Sequence, residues 1–185
     1  MRKEKLFIYP SAKKLKAELS FKRMIFIGAV GGLKEDIHLG DVCTPSYSIS
    51  GSYADAYLMK ESIRDNMLFT KVIPDAEYVD HVIQVGKKKG YDIKMASVFC
   101  TPSIALEYTH LEEIKALDTD LIEMETSSFY LMTELFELPG IALLVVSDNS
   151  ATGAALVGRT KEEQEKYDKG RNVILPDMVI ALAEK

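Results

Sequence analysis

Short apolar runs alternate with polar stretches punctuated by glycine and proline along the whole chain. Lys5–Tyr9 is apolar and closed by Pro10, which predicts a strand, and Ser11 is placed to cap a helix over Ala12–Leu19 with Leu15 and Leu19 on one face. Met24–Ile27 is apolar without alternation, so the strand over Lys22–Gly28 is expected to be buried on both faces and to have parallel neighbours. Strand, helix and strand within the first thirty residues predict a βαβ unit. Gly40-Asp41 turns into a further strand at Val42–Thr44, whereas Ser46–Tyr57, rich in Ser, Gly and Tyr, reads as a loop or edge hairpin.

The alternation continues downstream. Asp75–Lys89 carries Val79, Val82, Ile83 and Val85 at helical spacing and is ended by Gly90. Ile93–Phe99 predicts a strand broken before Pro102, and Leu106–Leu117 contains a helix. Asp120–Met124 predicts a strand leading directly into a helix at Glu125–Phe136, and Gly140–Val146 is a buried strand. Ser150–Gly158 is small and polar, and Lys161–Lys185 is helical with a break expected at Pro176. Strands and helices alternate without repeat or linker, which predicts one α/β domain over residues 1–185.

Composition narrows the function. With 47% apolar and 28% charged residues the chain is an ordinary globular sequence, and its net charge of −5 argues against a nucleic-acid partner. No apolar run is long enough to span a bilayer and no signal-peptide core follows the charged N-terminus, so a cytoplasmic protein without a membrane partner is expected. Cys43 and Cys100 fall in apolar surroundings and read as reduced, buried thiols. His38, His81 and His110 have no ligand spacing and read as surface or loop residues, so no metal site is expected.

The candidate chemistry lies at the ends of two apolar runs, in Leu121-Ile122-Glu123-Met124-Glu125-Thr126 and Val145-Val146-Ser147-Asp148-Asn149. Open α/β folds bind ligands at the mouths of buried strands. Acids at two such mouths suggest one pocket with one carboxylate to hold a substrate and another to move a proton.

These segments resemble the nucleoside phosphorylase/nucleosidase superfamily. Ile27-Gly28-Ala29-Val30-Gly31-Gly32-Leu33 with Ile37-His38-Leu39-Gly40-Asp41-Val42 is similar to its glycine motif and following Gly-Asp turn. Glu123-Met124-Glu125-Thr126 is similar to its ribose-binding Glu-Met-Glu motif, and Val146-Ser147-Asp148 to its catalytic Ser-Asp motif. The resemblance implies a three-layer α/β/α fold with a twisted mixed central sheet. It implies cleavage of the N-glycosidic bond of a nucleoside, by phosphate or by water, with no cofactor beyond phosphate as a possible co-substrate. Glu125 would then bond the ribose hydroxyls, Met124 would pack on the sugar, and Glu123 would reach sugar or base. Asp148 would place a proton at N7 of a departing purine, with Asn149 beside it, and Arg171 would assist Asp148. Phe99 or Ile104 would wall the base, and the backbone around Gly28 and Gly31 would face phosphate. Each residue also has a plain structural reading: Glu125 as a helix-start acid, Asp148 as a cap, Met124 and Phe99 as core, Arg171 as a surface residue.

The chain departs from the family pattern in two places. Phe26 stands where family phosphorylases carry a phosphate-binding arginine, and Ala29 where they carry a hydroxyl. A phenyl ring and a methyl group do not bind a dianion, which tilts the expectation from phosphorylase towards nucleosidase. The resemblance also implies further residues before Tyr9-Pro10-Ser11-Ala12, so the domain is expected to be N-terminally shortened, with strand edges covered in a homo-oligomer, a dimer or hexamer as is common in the family. The expected function is release of a base, purine favoured, in nucleoside salvage. The alternative is a catalytically impaired nucleoside- or base-binding homologue, or an assembly subunit.

Overall fold

The computed structural model describes residues 21–52 and 69–184, and the strand and helix expected over residues 5–19 lie outside them. The described elements are β1 (Met24–Gly32), β2 (Val42–Ser50), β3 (Lys71–Val72), α1 (Ala76–Lys89), β4 (Ile93–Cys100), α2 (Ile104–Thr109), α3 (Leu111–Lys115), β5 (Leu121–Glu123), α4 (Thr126–Phe136), β6 (Gly140–Asn149), α5 (Lys161–Lys169), a π-helical turn (Gly170–Ile174) and α6 (Leu175–Ala183). Local signals mark several ends. The Asp75 carboxylate accepts from the Glu77 N–H at 2.9 Å to start α1, and Gly90 closes that helix at φ 77°.

The strands form one mixed sheet in the order β3-β2-β4-β5-β1-β6. β1 and β6 are parallel, β2, β4 and β5 are parallel to one another, and the two groups meet antiparallel at β1–β5. The start of β2 also pairs antiparallel with β6, Val42 with Val145 and Cys43 with Leu144. β2, β4, β5, β1 and β6 therefore curl into a ring, and this pairing covers an edge of β6 that an open sheet would expose.

Alternation along the strands separates the two faces of the ring. Val30, Cys43, Ala96, Val98, Cys100, Leu121, Leu144 and Val146 converge from all five strands into one buried cluster on the concave side. Their strand neighbours Val42, Ile93, Ile141, Leu143 and Val145 point outward and pack under Val82 and Val85 of α1, Tyr167 of α5, and Leu175, Met178 and Leu182 of α6. α4 lies on the other side, placing Tyr130 and Leu131 against Ala142, Val72 and Phe26. Full burial of Leu143, Leu144, Met178 and Leu182 stabilises the fold by roughly 1.5–3 kcal/mol per side chain. Helices thus cover both faces of a mixed sheet, as the resemblance implies.

Four expectations are corrected. β1 is not buried on both faces: Ile27 is 50% exposed, because the side of β1 away from the concave cluster is only partly covered. β1 also runs on through Gly28–Gly32, so the glycine run is strand. The loop or edge hairpin expected from Ser46 is instead a continuation of β2 as far as Ser50; Ser48 is buried because its hydroxyl bonds Thr126 Oγ1 at 2.8 Å. The break expected at Pro176 falls earlier. The helix widens over Gly170–Ile174, where the α-helical ladder lacks the Pro176 N–H, and the proline sits in the first turn of α6. Cys43 and Cys100 are free and buried as expected, and burial pushes the Cys43 thiol up to about 12. Among the described residues no helix is long and apolar enough to cross a membrane.

One turn ties the helical layer to the sheet. Gly40 adopts φ +82°, its N–H bonds the Val146 carbonyl at 2.9 Å, and the Val146 N–H bonds the Asp41 carbonyl at 2.9 Å. A Cβ on Gly40 would fall on the Lys166 carbonyl of α5. Gly40→Ala should therefore cost about 3 kcal/mol, from left-handed strain of roughly 1–2 kcal/mol and overpacking of roughly 1–3 kcal/mol. Gly90→Ala also places a side chain at positive φ but meets no atom within 4 Å, and should cost only the strain, about 1–2 kcal/mol. Urea melts of the two variants check the difference; equal losses would show that the contact with α5 is unimportant.

Candidate active site

The site begins with one extra residue in β6. β1 and β6 pair in register from Met24↔Gly140 to Val30↔Val146, and then Gly31 pairs with Asp148. Ser147 is passed over, a β-bulge. In an unbroken strand Asp148 would share the face of Leu144 and Val146 and point into the apolar ring. The bulge turns it to the face of Gly31, outside the ring. Asn149, paired with Gly32, returns to the buried side, where its amide nitrogen donates to the carbonyls of Lys34 (2.8 Å) and Ile37 (2.7 Å).

The bulged residue is held by side chains. The Ser147 hydroxyl donates to Asp148 Oδ1 at 2.7 Å and lies 3.2 Å from the Val30 carbonyl. The Ser147 carbonyl accepts from Arg159 Nη2 at 2.6 Å, and the Arg159 guanidinium lies over the Tyr167 ring at 4.0 Å. Gly31 makes room for the acid: a Cβ there would stand 3.2 Å from Asp148 Oδ2 and 3.0 Å from Ile122 Cγ2.

The second acid group is set by β5. Cys100 pairs with Glu123, and both side chains turn toward the same end of the ring. Glu123 Oε2 accepts from the N–H groups of Glu125 (2.7 Å) and Thr126 (2.9 Å), and Oε1 accepts from Thr126 Oγ1 (2.8 Å) and Cys100 Sγ (2.7 Å). This carboxylate is 7% exposed and saturated with donors. Burial nevertheless raises its proton affinity above the ordinary glutamate value, outweighing the hydrogen bonds. By clamping the first N–H groups of the turn into α4, Glu123 forces Met124 and Glu125 outward.

A cavity of about 490 Å³ opens where these features meet, lined by the ends of β1, β5 and β6, the start of α2 and the loop after β6. Glu125 and Asp148 share it, together with Gly31, Met124 and Ile104. Its rim is apolar, with Ile104, Tyr108, Met124 and Leu156 all large and exposed. Glu107 of α2 also lines it, and burial, followed by the negative charge of Asp148, raises its proton affinity.

Some expected residues play other parts. Glu123 and Asn149 border the cavity, but their polar atoms are engaged inside the protein, Asn149 Oδ1 accepting from the N–H groups of Ala151 (2.7 Å) and Thr152 (3.1 Å). Phe99 is 5% exposed and packs with Leu33, Ile49, Ile114 and Ile122, so the apolar wall is Ile104. Gly28 faces the Phe26 ring and Leu144 rather than the cavity. Phe26 itself lies against Phe129, with ring centroids 5.5 Å apart. Arg171 is not brought to Asp148: it is exposed, and its Nη1 donates to the Tyr167 hydroxyl at 3.3 Å. Arg159 occupies the place beside the Ser-Asp segment instead. Glu107 and Arg159 were not among the expected residues; Glu107 is the one acid in the otherwise apolar and aromatic run Ile104–Tyr108, a signal that could have found it, and nothing in the sequence pattern marks Arg159.

The chain belongs to the phosphorylase superfamily, whose pattern matches residues 12–174. Among similar proteins is a DeoD-type purine nucleoside phosphorylase of Haemophilus ducreyi, 26% identical over 156 residues that cover 82% of this chain and 61% of that protein. Another, from Geobacillus stearothermophilus, is 25% identical over 134 residues, covering 70% of this chain and 53% of its own length. The chain thus spans about three fifths or less of the relatives named here. The fold is similar to that of the Campylobacter jejuni 5'-methylthioadenosine/S-adenosyl homocysteine nucleosidase, with a TM-score of 0.69, 14% identity and coverage of 94% of this chain and 74% of that one. It is equally similar to purine nucleoside phosphorylase from Toxoplasma gondii in complex with immucillin-H, with a TM-score of 0.69, 16% identity and coverage of 92% and 66%.

The clamp around Glu123 has a measurable consequence. A buried acid with raised proton affinity holds its proton more firmly in the folded than in the unfolded chain. Its contribution to stability is fully present below the ordinary glutamate range and is lost as pH climbs through the folded value. Glu123→Gln should flatten this slope. It should also lower stability at neutral pH by about 2–3 kcal/mol, because an amide NH2 replaces one acceptor among four donors. Urea melts between pH 4 and 7 read both effects; an unchanged stability at pH 7 would rule out the clamp.

Proposed function

We propose that the cavity binds a purine nucleoside and releases its base by cleaving the N-glycosidic bond. The observation that carries this reading is the convergence of Glu125 and Asp148, distant in sequence, on one cavity with an apolar rim. The vicinal ribose hydroxyls donate to the Glu125 carboxylate, and Met124 packs on the sugar. The base lies between the apolar side chains of the rim, Ile104 among them. As the bond between the sugar and N9 breaks, its electron pair passes to the purine, and a protonated Asp148 delivers its proton to N7. The sugar cation is captured by the acceptor, which is water or phosphate. Family membership and the purine nucleoside phosphorylases among the relatives support this reading.

Water is the favoured acceptor. Phe26 fills the position of a phosphate-binding arginine with a ring packed on Phe129, and Ala29 presents only a methyl group at the cavity. Arg159, through the Ser147 carbonyl, fixes where Asp148 stands. The protein is expected to act as a soluble catalyst of nucleoside salvage and to associate with copies of itself.

Incubation with adenosine, inosine, methylthioadenosine and uridine, with and without phosphate, tests the reaction by release of free base. Base release independent of phosphate is the expected result; strict dependence would identify a phosphorylase, and binding without release would identify a binding protein. Asp148→Asn should lower kcat by about 10²–10⁴-fold, the range for loss of a positioned proton donor. Glu125→Gln should weaken nucleoside binding by roughly tenfold or more, as expected for loss of hydrogen bonds to a charged group. Wild-type turnover in either variant removes the assigned role. Arg159→Met should reduce kcat while Arg171→Met leaves it unchanged; the reverse result would restore the arginine that the sequence suggested.

A further inference from the structure

We propose that the outer face of the C-terminal helix is an interface for a second copy of this chain, which packs its own helix there antiparallel about a two-fold axis. The proposal gives a surface to the self-association expected above and rests on that expectation. α5, the π-helical turn and α6 form one continuous helical rod from Lys161 to Ala183. Tyr167, Leu175, Met178 and Leu182 bury its inner face against the sheet and α1. The outer face carries Val173, Pro176, Ile180 and Ala183, all exposed, with Val173 at 54% and Ile180 at 59%. Intervals of three and four residues put these four on one stripe, the pattern of a helix–helix seam rather than of a solvated face.

The stripe is complementary to itself. An antiparallel pair with its axis between Pro176 and Asp177 sets Val173 of each copy against Ile180 of the other, the reciprocal contact that a two-fold interface requires. The same register brings the exposed Lys169 beside Glu184 of the second copy at both ends of the seam. A parallel pair would stack Lys169 on Lys169 and Glu184 on Glu184. Antiparallel helices also oppose their dipoles. The acid nearest the axis is already paired within its own chain. Asp177 accepts from Lys89 Nζ at 2.9 Å and from the Tyr91 hydroxyl at 2.9 Å, so the two copies do not bring bare carboxylates together. About four helical turns of contact is small for a stable complex, so the dimer is concentration-dependent. The stripe shares no residue with the cavity.

Sedimentation velocity of the whole chain over a range of concentrations, together with disulfide trapping, tests the interface. The wild type should gain mass as concentration rises. Ile180→Glu, which brings two carboxylates onto an apolar seam, should weaken that step at least about tenfold while keeping the wild-type melting temperature. Cys43 and Cys100 are buried, so a cysteine placed on the stripe is the reactive one. On mild oxidation a mixture of Val173→Cys and Ile180→Cys chains should give a disulfide-linked dimer. Neither variant alone should do so, because like positions lie roughly 10 Å apart along the seam, beyond the reach of a disulfide. A mixture that does not cross-link, or a single variant that cross-links as readily as the mixture, overturns the antiparallel register. Association that Ile180→Glu leaves intact overturns the surface while self-association stands, and a chain that is monomeric at every concentration removes both. The nucleoside reading is decided by base release and is untouched by each of these results.

Discussion

A single residue inserted into the ladder between β1 and β6 decides what this fold can do at its surface. Up to Val146, β6 alternates cleanly between the concave cluster and the helical layer. Ser147 breaks the parity, and Asp148 leaves a face on which an acid would be buried among valines and leucines. Burial of an unpaired carboxylate costs several kcal/mol or drives it to take a proton. The bulge avoids that cost and delivers the same carboxylate to the cavity. The strand pays for it with a backbone carbonyl outside the ladder, and the Arg159 guanidinium satisfies that group.

The Glu-Met-Glu segment solves the complementary problem. Its two acids are separated by one residue yet do opposite things. Glu123 turns inward, where Cys100, Thr126 and Ser48 form a continuous hydrogen-bonded plug at the end of the ring. Glu125 is left exposed as the N-cap position of α4 and lines the cavity. The inner acid fixes the backbone from which the outer one projects, so the structural role of Glu123 is a condition for the chemical role proposed for Glu125. The same logic separates Asn149, whose amide ties β6 to the Lys34–Ile37 turn, from Asp148 next to it.

Much of this was legible in the sequence, for identifiable reasons. Asp75, Val79, Val82, Val85 and Gly90 give α1 its cap, buried stripe and stop, all local signals. The acids at Glu125 and Asp148 were legible because each ends an apolar run and stands in a recognisable motif. What escaped was non-local. Ser46–Ser50 reads as loop by composition, yet its hydroxyls are satisfied by partners as remote as Thr126. The closing pairs Val42–Val145 and Cys43–Leu144 depend on the curvature of a whole sheet, which no window of sequence carries. Arg171 was expected beside Asp148 because the family resemblance implies an assisting arginine at that place, whereas the path of the loop after β6 brings Arg159 to Ser147.

The Gly40 turn links parts of the molecule that look independent. It is bonded to Val146, the last in-register residue before the bulge, and it touches the backbone of α5, the helix that begins just after Arg159. The height of α5 over the sheet is thus gauged by a hydrogen atom on one side and by a ladder bond on the other. A bulkier residue at this remote position would act like a shim under the arm that carries the guanidinium, altering the tilt of Asp148 without touching the cavity. Tolerance to substitution in such a chain is then governed by mechanical leverage as much as by distance from the cavity.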